Sequence, residues 1–217
     1  MIMDSGDGPV KPKRSYDASR RLDHARRNRE RIVIAAEQRF LTDGYPATTI
    51  ASIATDANVS ADMIYKTFGN KAGLARAIRT RALAGAGDLP AEQRSDELHN
   101  RGLSGREIIT AWGTLTAEIA PRMAPIARLM AAAAATDPDA RVLLEEFDRD
   151  RYGRMTRNAR QLHHHGHLRQ GVSIAHAADI LWTCSAPELY ELLVQRRGWS
   201  LKRYSRFVAE TMITALL

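Results

Sequence analysis

Two short apolar-patterned segments joined by the three residues Asn58-Val59-Ser60 constrain this chain most tightly. Thr48 or Thr49 is placed to cap a helix from Ile50 to about Ala57, and Ser60 to cap another from Ala61 to Phe68. A hydroxyl just ahead of a first turn accepts a hydrogen bond from a backbone N–H that has no helical partner. Asn58 tolerates a left-handed backbone, as a turn between closely apposed helices requires. Ile50, Ile53, Ala54, Val59, Ile64 and Phe68 supply the inner surface, and the small Ala54 and Ala57 let the two helices approach. This length, capping and apolar set are those of a helix-turn-helix.

A helix precedes the pair. From Arg29, Ile32, Ala36 and Phe40 recur with Ile34 and Leu41 as a broad apolar stripe, ending at Asp43-Gly44, beyond which Pro46 opposes continuation. Arg76 to Ala84 continues as a connecting helix. Low glycine and proline, 6% aromatics and abundant alanine and arginine favour an all-α fold over a sheet sandwich.

Charge separates the chain into unequal parts. Residues 1–84 carry 15 Lys and Arg against 9 acids, and residues 85–217 carry 17 against 16, so nearly all of the net +7 lies in the first third. A local basic excess attracts polyanions by counterion release. Lys11, Lys13, Arg14, Arg20, Arg21, Arg26, Arg27, Arg29 and Arg31 crowd ahead of the apolar stripe, where too little apolar surface exists for an independent fold. Residues 1–27 are therefore expected to be a flexible basic arm, serving either as a solubilising tail or as a DNA-following segment. Residues 28–84 follow as the DNA-binding domain, 85–103 as a Gly- and Pro-containing linker or loop, and 104–217 as a larger helical domain.

On a helix, Ile64 and Phe68 share one face while Asp62 and Lys66 point the other way, with Ala61 and Met63 beside them. Ala61, Asp62, Met63 and Lys66 are the candidate base contacts: a lysine donates to guanine, a thioether meets a thymine methyl, and a carboxylate accepts from cytosine. Asp62 has an alternative role, since an acid in the first turn stabilises the positive helix end.

The stretch FLTDGYPATTIASIATDANVSADMIYKTFGNKAGL resembles the DNA-binding domain of TetR-family transcriptional regulators, through Gly44-Tyr45, Thr48-Thr49, Ile53-Ala54, Val59-Ser60, Ile64-Tyr65, Phe68 and Asn70-Lys71-Ala72-Gly73-Leu74. The resemblance covers about a quarter of the chain strongly. It implies phosphate contacts from Thr49, Tyr65, Thr67 and Lys71, with Ser60 counted beside them. Asp62 stands where the family often has a small residue. The resemblance further implies a ligand-responsive repressor that binds a palindromic operator in double-stranded DNA as a homodimer, is not an enzyme, and needs no cofactor beyond a small-molecule effector.

In the remaining two-thirds, Ser104 and Glu107 form a capping-box pattern ahead of Ile108, Trp112, Leu115 and Ile119. Pro121 and Pro125 are expected to interrupt that helix. Further helices are expected over 126–135, 139–163 and 176–196, the last kinked at Pro187, and from Ser200 to Leu217. Segments 180–194 and 204–217 are apolar on more than one face. By resemblance they pair between subunits through Tyr190, Leu193, Tyr204, Val208, Met212 and Ala215. Trp112, Met123, Met130, Tyr152, Met155 and Trp182 are candidates to line a pocket for an apolar or aromatic ligand, with ordinary core packing as the alternative for each.

Other classes have less support. The opening residues carry Asp4 and Asp7 and no apolar h-region, and Cys184 has no partner for a disulfide, so a cytoplasmic, nucleoid-associated protein without a membrane role is expected. His163 and His167 stand four apart, yet Gly166 ends the helix between them, so no metal site is expected. Glu145, Glu146, Asp148 and Asp150 alternate with Arg149, Arg151 and Arg154, the pattern of an ion-paired helix face. No phosphate loop, GxSxG or HExxH accompanies them. A small-molecule enzyme or carrier bundle, and a non-specific nucleoid-type DNA-binding protein, are the alternatives.

Overall fold

The computed structural model describes residues 14–87 and 89–217, with side chains from Arg20 onward. Among these residues every regular element is helical: α1 (Arg14–Asp43), α2 (Ile50–Ala57), α3 (Ala61–Phe68), α4 (Lys71–Ala84), α5 (Ala91–Glu97), α6 (Gly105–Ala134), α7 (Pro138–His164), α8 (Ile174–Cys184), α9 (Pro187–Tyr190) and α10 (Leu201–Leu216). A 3₁₀ turn over Leu98–Arg101 extends α5, and a π-helical turn over Glu191–Arg196 extends α9.

The caps are local and follow the sequence pattern. Thr49 accepts from Ser52 N, Ser60 from Met63 N, and Ser104 from Glu107 N, with the Glu107 carboxylate returning to Ser104 N at 2.8 Å. Asn58 takes the left-handed conformation at φ 50°, and its N–H reaches back to the end of α2.

Two apolar clusters hold the molecule. The first joins Ile32, Phe40, Tyr45, Ile53, Ile64, Leu74 and Ile78 to Ile126 and Met130 of α6 and Leu143 and Phe147 of α7. The second gathers Ile108, Ile109 and Trp112 of α6, Leu162 of α7, Leu181 of α8, and Tyr204, Val208 and Met212 of α10. Helix α6 spans both clusters, so α1 to α4 rest directly on the larger bundle.

Several expectations are corrected. Residues 14–27 belong to α1 rather than to a flexible arm; Lys11 and Lys13 lie outside the described residues. Burial of Ile32, Val33, Ala35 and Ala36 anchors this helix, and propagating a formed helix costs far less than nucleating one. Residues 85–103 are largely helical, because Ala91, Ser95 and Leu98 turn one face inward. Helix α6 runs through Pro121 and Pro125. Each proline removes one backbone donor, and burial of Ala117, Ala120, Ala124 and Ile126 along the same stretch holds the helix together. Pro187 starts α9 instead of kinking one long helix, its fixed φ suiting a first helical position.

The buried Cys184 thiol is pushed up to about 11 by burial. Among the described residues no helix is long and apolar enough to cross a membrane.

Candidate DNA-binding surface

Helix α3 has two sides of opposite character. Ile64 is fully buried and Phe68 half-buried, while Asp62, Met63, Tyr65, Lys66 and Thr67 are exposed and Ala61 is half-buried. The inner side locks the helix on α1 and α2, so the outer row projects from a fixed base.

The base is held by polar contacts as well. Thr48, buried, donates to the Gly44 carbonyl at 2.8 Å and to that of Arg39 at 3.2 Å, which fixes the loop into α2. Arg39 forks onto Asp56 of α2 and also reaches Asp43 at 3.1 Å. The guanidinium holds the Asp56 carboxyl below the usual carboxylate range. Tyr45 packs against Phe40 with ring centroids 5.1 Å apart, and burial pushes its hydroxyl up to about 12.

The expected phosphate contacts are differently placed. Tyr65, about half exposed, points outward, and Ser60 sits at the exposed start of α3. Thr49 is exposed, accepting from Ser52 N and donating to Ser52 Oγ at 3.2 Å. Thr67 donates its hydroxyl to the Met63 carbonyl at 2.7 Å, so in this rotamer it has no proton to offer a phosphate. Lys71 donates to the carbonyls of Tyr45 at 2.8 Å and Pro46 at 3.3 Å and lies 4.4 Å over the Tyr45 ring. An ammonium has three donors, so Lys71 clamps the α1–α2 loop and keeps one N–H for another acceptor.

A groove of about 620 Å³ runs between the first half of α1 and α3, lined by Arg20, Arg21, His24, Arg29, Met63 and Thr67. The sequence reading missed this pairing. Arg29 lies 4.7 Å over the Phe68 ring, and the buried Asn28 amide approaches Met63 Sδ at 3.9 Å and His24 Nδ1 at 3.2 Å. The signal was present in Ala25, Asn28 and Ile32, which continue the helical register of α1 upstream.

Helix α4 ties this surface to the bundle. Arg76 forks onto Glu146 at 2.6 and 2.7 Å; Arg79 reaches Asp150 at 2.9 Å and lies 4.7 Å over the Phe147 ring. The charges of α7 thus pair across helices as well as along their own face. Arg76 holds the Glu146 carboxyl below its ordinary range.

The other candidates do not gather in one place. Met130 is buried and Met123 half-buried in the first cluster, while Trp112 and Met155 belong to the second. Tyr152 is exposed, donating to Asp179 at 3.1 Å, and Trp182 packs beneath the Arg151 guanidinium at 4.4 Å. The six candidates thus divide between the two clusters and the surface, and their helical spacing alone does not say which cluster each joins. Tyr190, Tyr204, Val208 and Met212 fill the chain's own core, each 8% exposed or less. The expectation that these four form a subunit interface is corrected, because a side chain enclosed by its own helices has no surface to share. Leu193 and Ala215 remain half-buried, beside the exposed Leu192, Leu201 and Phe207.

Residues 32–78 match the family model of bacterial regulatory proteins, tetR family. The chain is 37% identical over 67 residues to the uncharacterized HTH-type transcriptional regulator YvkB of Bacillus subtilis (strain 168), a match spanning 31% of this chain and 35% of that relative. In overall structure it is similar to the SmeT–triclosan complex, with TM-score 0.66 and 24% identity over 88% of this chain and 91% of the other. It is equally similar to the regulator FadR from Bacillus subtilis in complex with stearoyl-CoA, with TM-score 0.66 and 15% identity over 87% and 99%.

Proposed function

We propose, from the match of residues 32–78 to the tetR family of bacterial regulatory proteins, that the chain is a DNA-binding regulator of transcription that binds a palindromic operator as a homodimer and releases or tightens on it in response to a small molecule. One observation carries the reading: α3, capped by Ser60 and anchored by Ile64, presents Asp62, Met63, Tyr65, Lys66 and Thr67 on a single exposed side. A helix so presented fits the major groove, where its first residues reach base edges. Ala61, Asp62, Met63 and Lys66 contact bases. Thr49, Ser60, Tyr65 and the free donor of Lys71 contact phosphates, and Thr67 joins them after a rotamer change.

The exposed and half-buried apolar residues of α8 to α10, with Leu193 and Ala215 among them, form the subunit contact. Two related folds were captured with triclosan and with stearoyl-CoA, which supports an effector here. An effector shifts DNA affinity only by its differential affinity for two conformations. The α4–α7 ion pairs, Arg76 with Glu146 and Arg79 with Asp150, are where a movement of the bundle reaches the reading heads.

Selection from a random duplex library at about 0.15 M salt tests the reading, because weak phosphate-only binding is suppressed there. A palindrome with half-sites roughly 34–36 Å apart, or a multiple, is expected. Recovery of no motif would remove α3 as a reader, and a monomer in sedimentation at micromolar concentration would remove the homodimer. Two variants then separate the roles. Lys66→Ala should alter preference at its base position by about 1–3 kcal/mol, whereas Tyr65→Phe should weaken all duplexes alike, by about 1 kcal/mol. Equal losses on every duplex for Lys66→Ala would sink its reading role.

A further inference from the structure

Six buried side-chain N and O atoms among the described residues have no partner; two are Trp182 Nε1 and Tyr204 OH, and the other four belong to three neighbouring residues. Among the described residues, Ser95 Oγ, both ring nitrogens of His99 and Trp112 Nε1 are buried and have no hydrogen-bond partner in the protein. Ser95 and Trp112 are 6% and 5% exposed, so neither can turn to solvent. Leaving such a group unsatisfied is costly, and here three residues do so side by side. Ser95 precedes His99 by one turn on the inward face of α5 and its 3₁₀ extension, and the His99 ring meets the Trp112 ring edge-on with centroids 5.6 Å apart.

The chemistry of the seam favours an acceptor. Trp112 offers only a donor, Ser95 a hydroxyl, and His99 a ring N–H in either tautomer. His165 stacks on His99 at 5.8 Å, and His167 on His165 at 6.0 Å. Facing His99 are therefore His165, His167 and Arg154, opposed by Asp96. Arg154 is itself paired with Asp96 and Glu92, which leaves the imidazoles as the uncommitted groups. Burial and the neighbouring imidazoles keep His99 neutral below its ordinary range, so an anion arriving here would bring a proton with it. Leu98, Ile108, Ile109 and Leu162 share the apolar cluster of Trp112.

The covering segment is built to lift. Helix α5 has no side-chain N-cap and is followed by Gly102 at φ 65°, with Gly85 at φ 76° ahead of it. It is held down by surface ion pairs, Arg94 to Glu118 at 2.6 Å and Arg154 and Arg157 to Glu92 at 3.1 Å. Arg122 also donates to the Gly85 carbonyl, so the end of α4 and the start of this segment share one anchor on α6.

We propose that the seam beneath α5 binds the carboxylate of an apolar organic acid, with Ser95, His99 and Trp112 as donors and α5 with its 3₁₀ extension, residues 91–101, as the strap that parts to admit it. This rests on the effector-responsive reading above and names its ligand class. Binding proceeds with uptake of a proton by His99, and displacement of the strap pulls on α4 through Gly85.

Octanoate and benzoate, with octanol and benzyl alcohol as neutral counterparts, are the probes. Calorimetry near pH 7.5 in two buffers of different ionisation heat should show the acids binding with net proton uptake and the alcohols at least tenfold more weakly. Ser95→Ala and Trp112→Phe should each weaken the acids about tenfold or more. Ser95→Ala should leave the ligand-free melting temperature unchanged or raise it, because it deletes an orphaned hydroxyl. Equal affinity for acid and alcohol, binding of neither, or a lower melting temperature for Ser95→Ala would overturn the site. Operator binding without acid is measured in parallel: its retention alongside failed acid binding removes this site alone, whereas its loss removes the regulatory reading itself.

Discussion

Gly73→Ala should lower stability by about 3 kcal/mol and, in the fraction that remains folded, weaken duplex binding at least tenfold. Gly73 stands in the first turn of α4, its N–H donating to Asn70 Oδ1 at 2.9 Å. A methyl carbon there would lie 1.9 Å from the Phe68 carbonyl oxygen and 2.9 Å from its carbon. A side chain could swing aside, but a carbonyl moves only with its backbone. Either the start of α4 shifts or the end of α3 does. Phe68 closes α3 beneath the Arg29 guanidinium, so the displacement passes to the helix bearing Met63 and Lys66. Thermal unfolding with duplex titration checks this, and wild-type values in both would show that the α3–α4 turn relaxes freely.

The second large effect belongs to the bundle. Gly113→Ala should cost about 2–3 kcal/mol, an expected fall of about 4–12 °C in melting temperature. Here α6 and α10 approach so closely that an added methyl carbon would lie 2.7 Å from the Ser205 carbonyl oxygen and 2.8 Å from Ala209 Cβ. Gly105 shows the same intimacy at the start of α6, where an added methyl carbon would lie 2.8 Å from His167 Cβ. Ala209→Gly in the same chain should restore part of the loss by clearing one of the two obstacles, while the Ser205 carbonyl still stands in the way. A melting temperature unchanged by Gly113→Ala would mean that the two helices can separate without penalty.

What was legible in the sequence was what neighbours in the chain decide. Thr49, Ser60, Ser104 and Ser200 cap helices through backbone N–H groups three residues away, and Asn58 makes its turn by its own conformational tolerance. These local features set α2, α3, the start of α6 and α10 without recourse to tertiary contacts. The inward placing of Ile64 and outward placing of Lys66 followed from helical geometry in the same way. Errors arose where a partner distant in sequence decides the outcome. Pro121 and Pro125 stay inside α6 because packing along α6 outweighs their local preference. Tyr204 and Met212 turned inward because α6 and α8 cover them, and two-faced apolarity alone could not say whether a neighbouring helix or a second subunit would do so. The orphaned atoms of Ser95, His99 and Trp112 had no sequence signature, since an unsatisfied group is recognised only by what surrounds it.

The first apolar cluster bears on how such chains can be recombined. Ile126, Met130, Ala133, Ala140, Leu143 and Phe147 complete a core begun by α1 to α4. Severing the chain after Ala84 would strip the reading head of that cover and leave an oily face on each fragment. A chimera that exchanges reading heads must therefore carry the closing turns of α6 and the opening turns of α7 with it, or match their side chains at the seam. Under the proposed function, DNA specificity in a chain of this build is tied to residues about sixty to eighty positions downstream of α3.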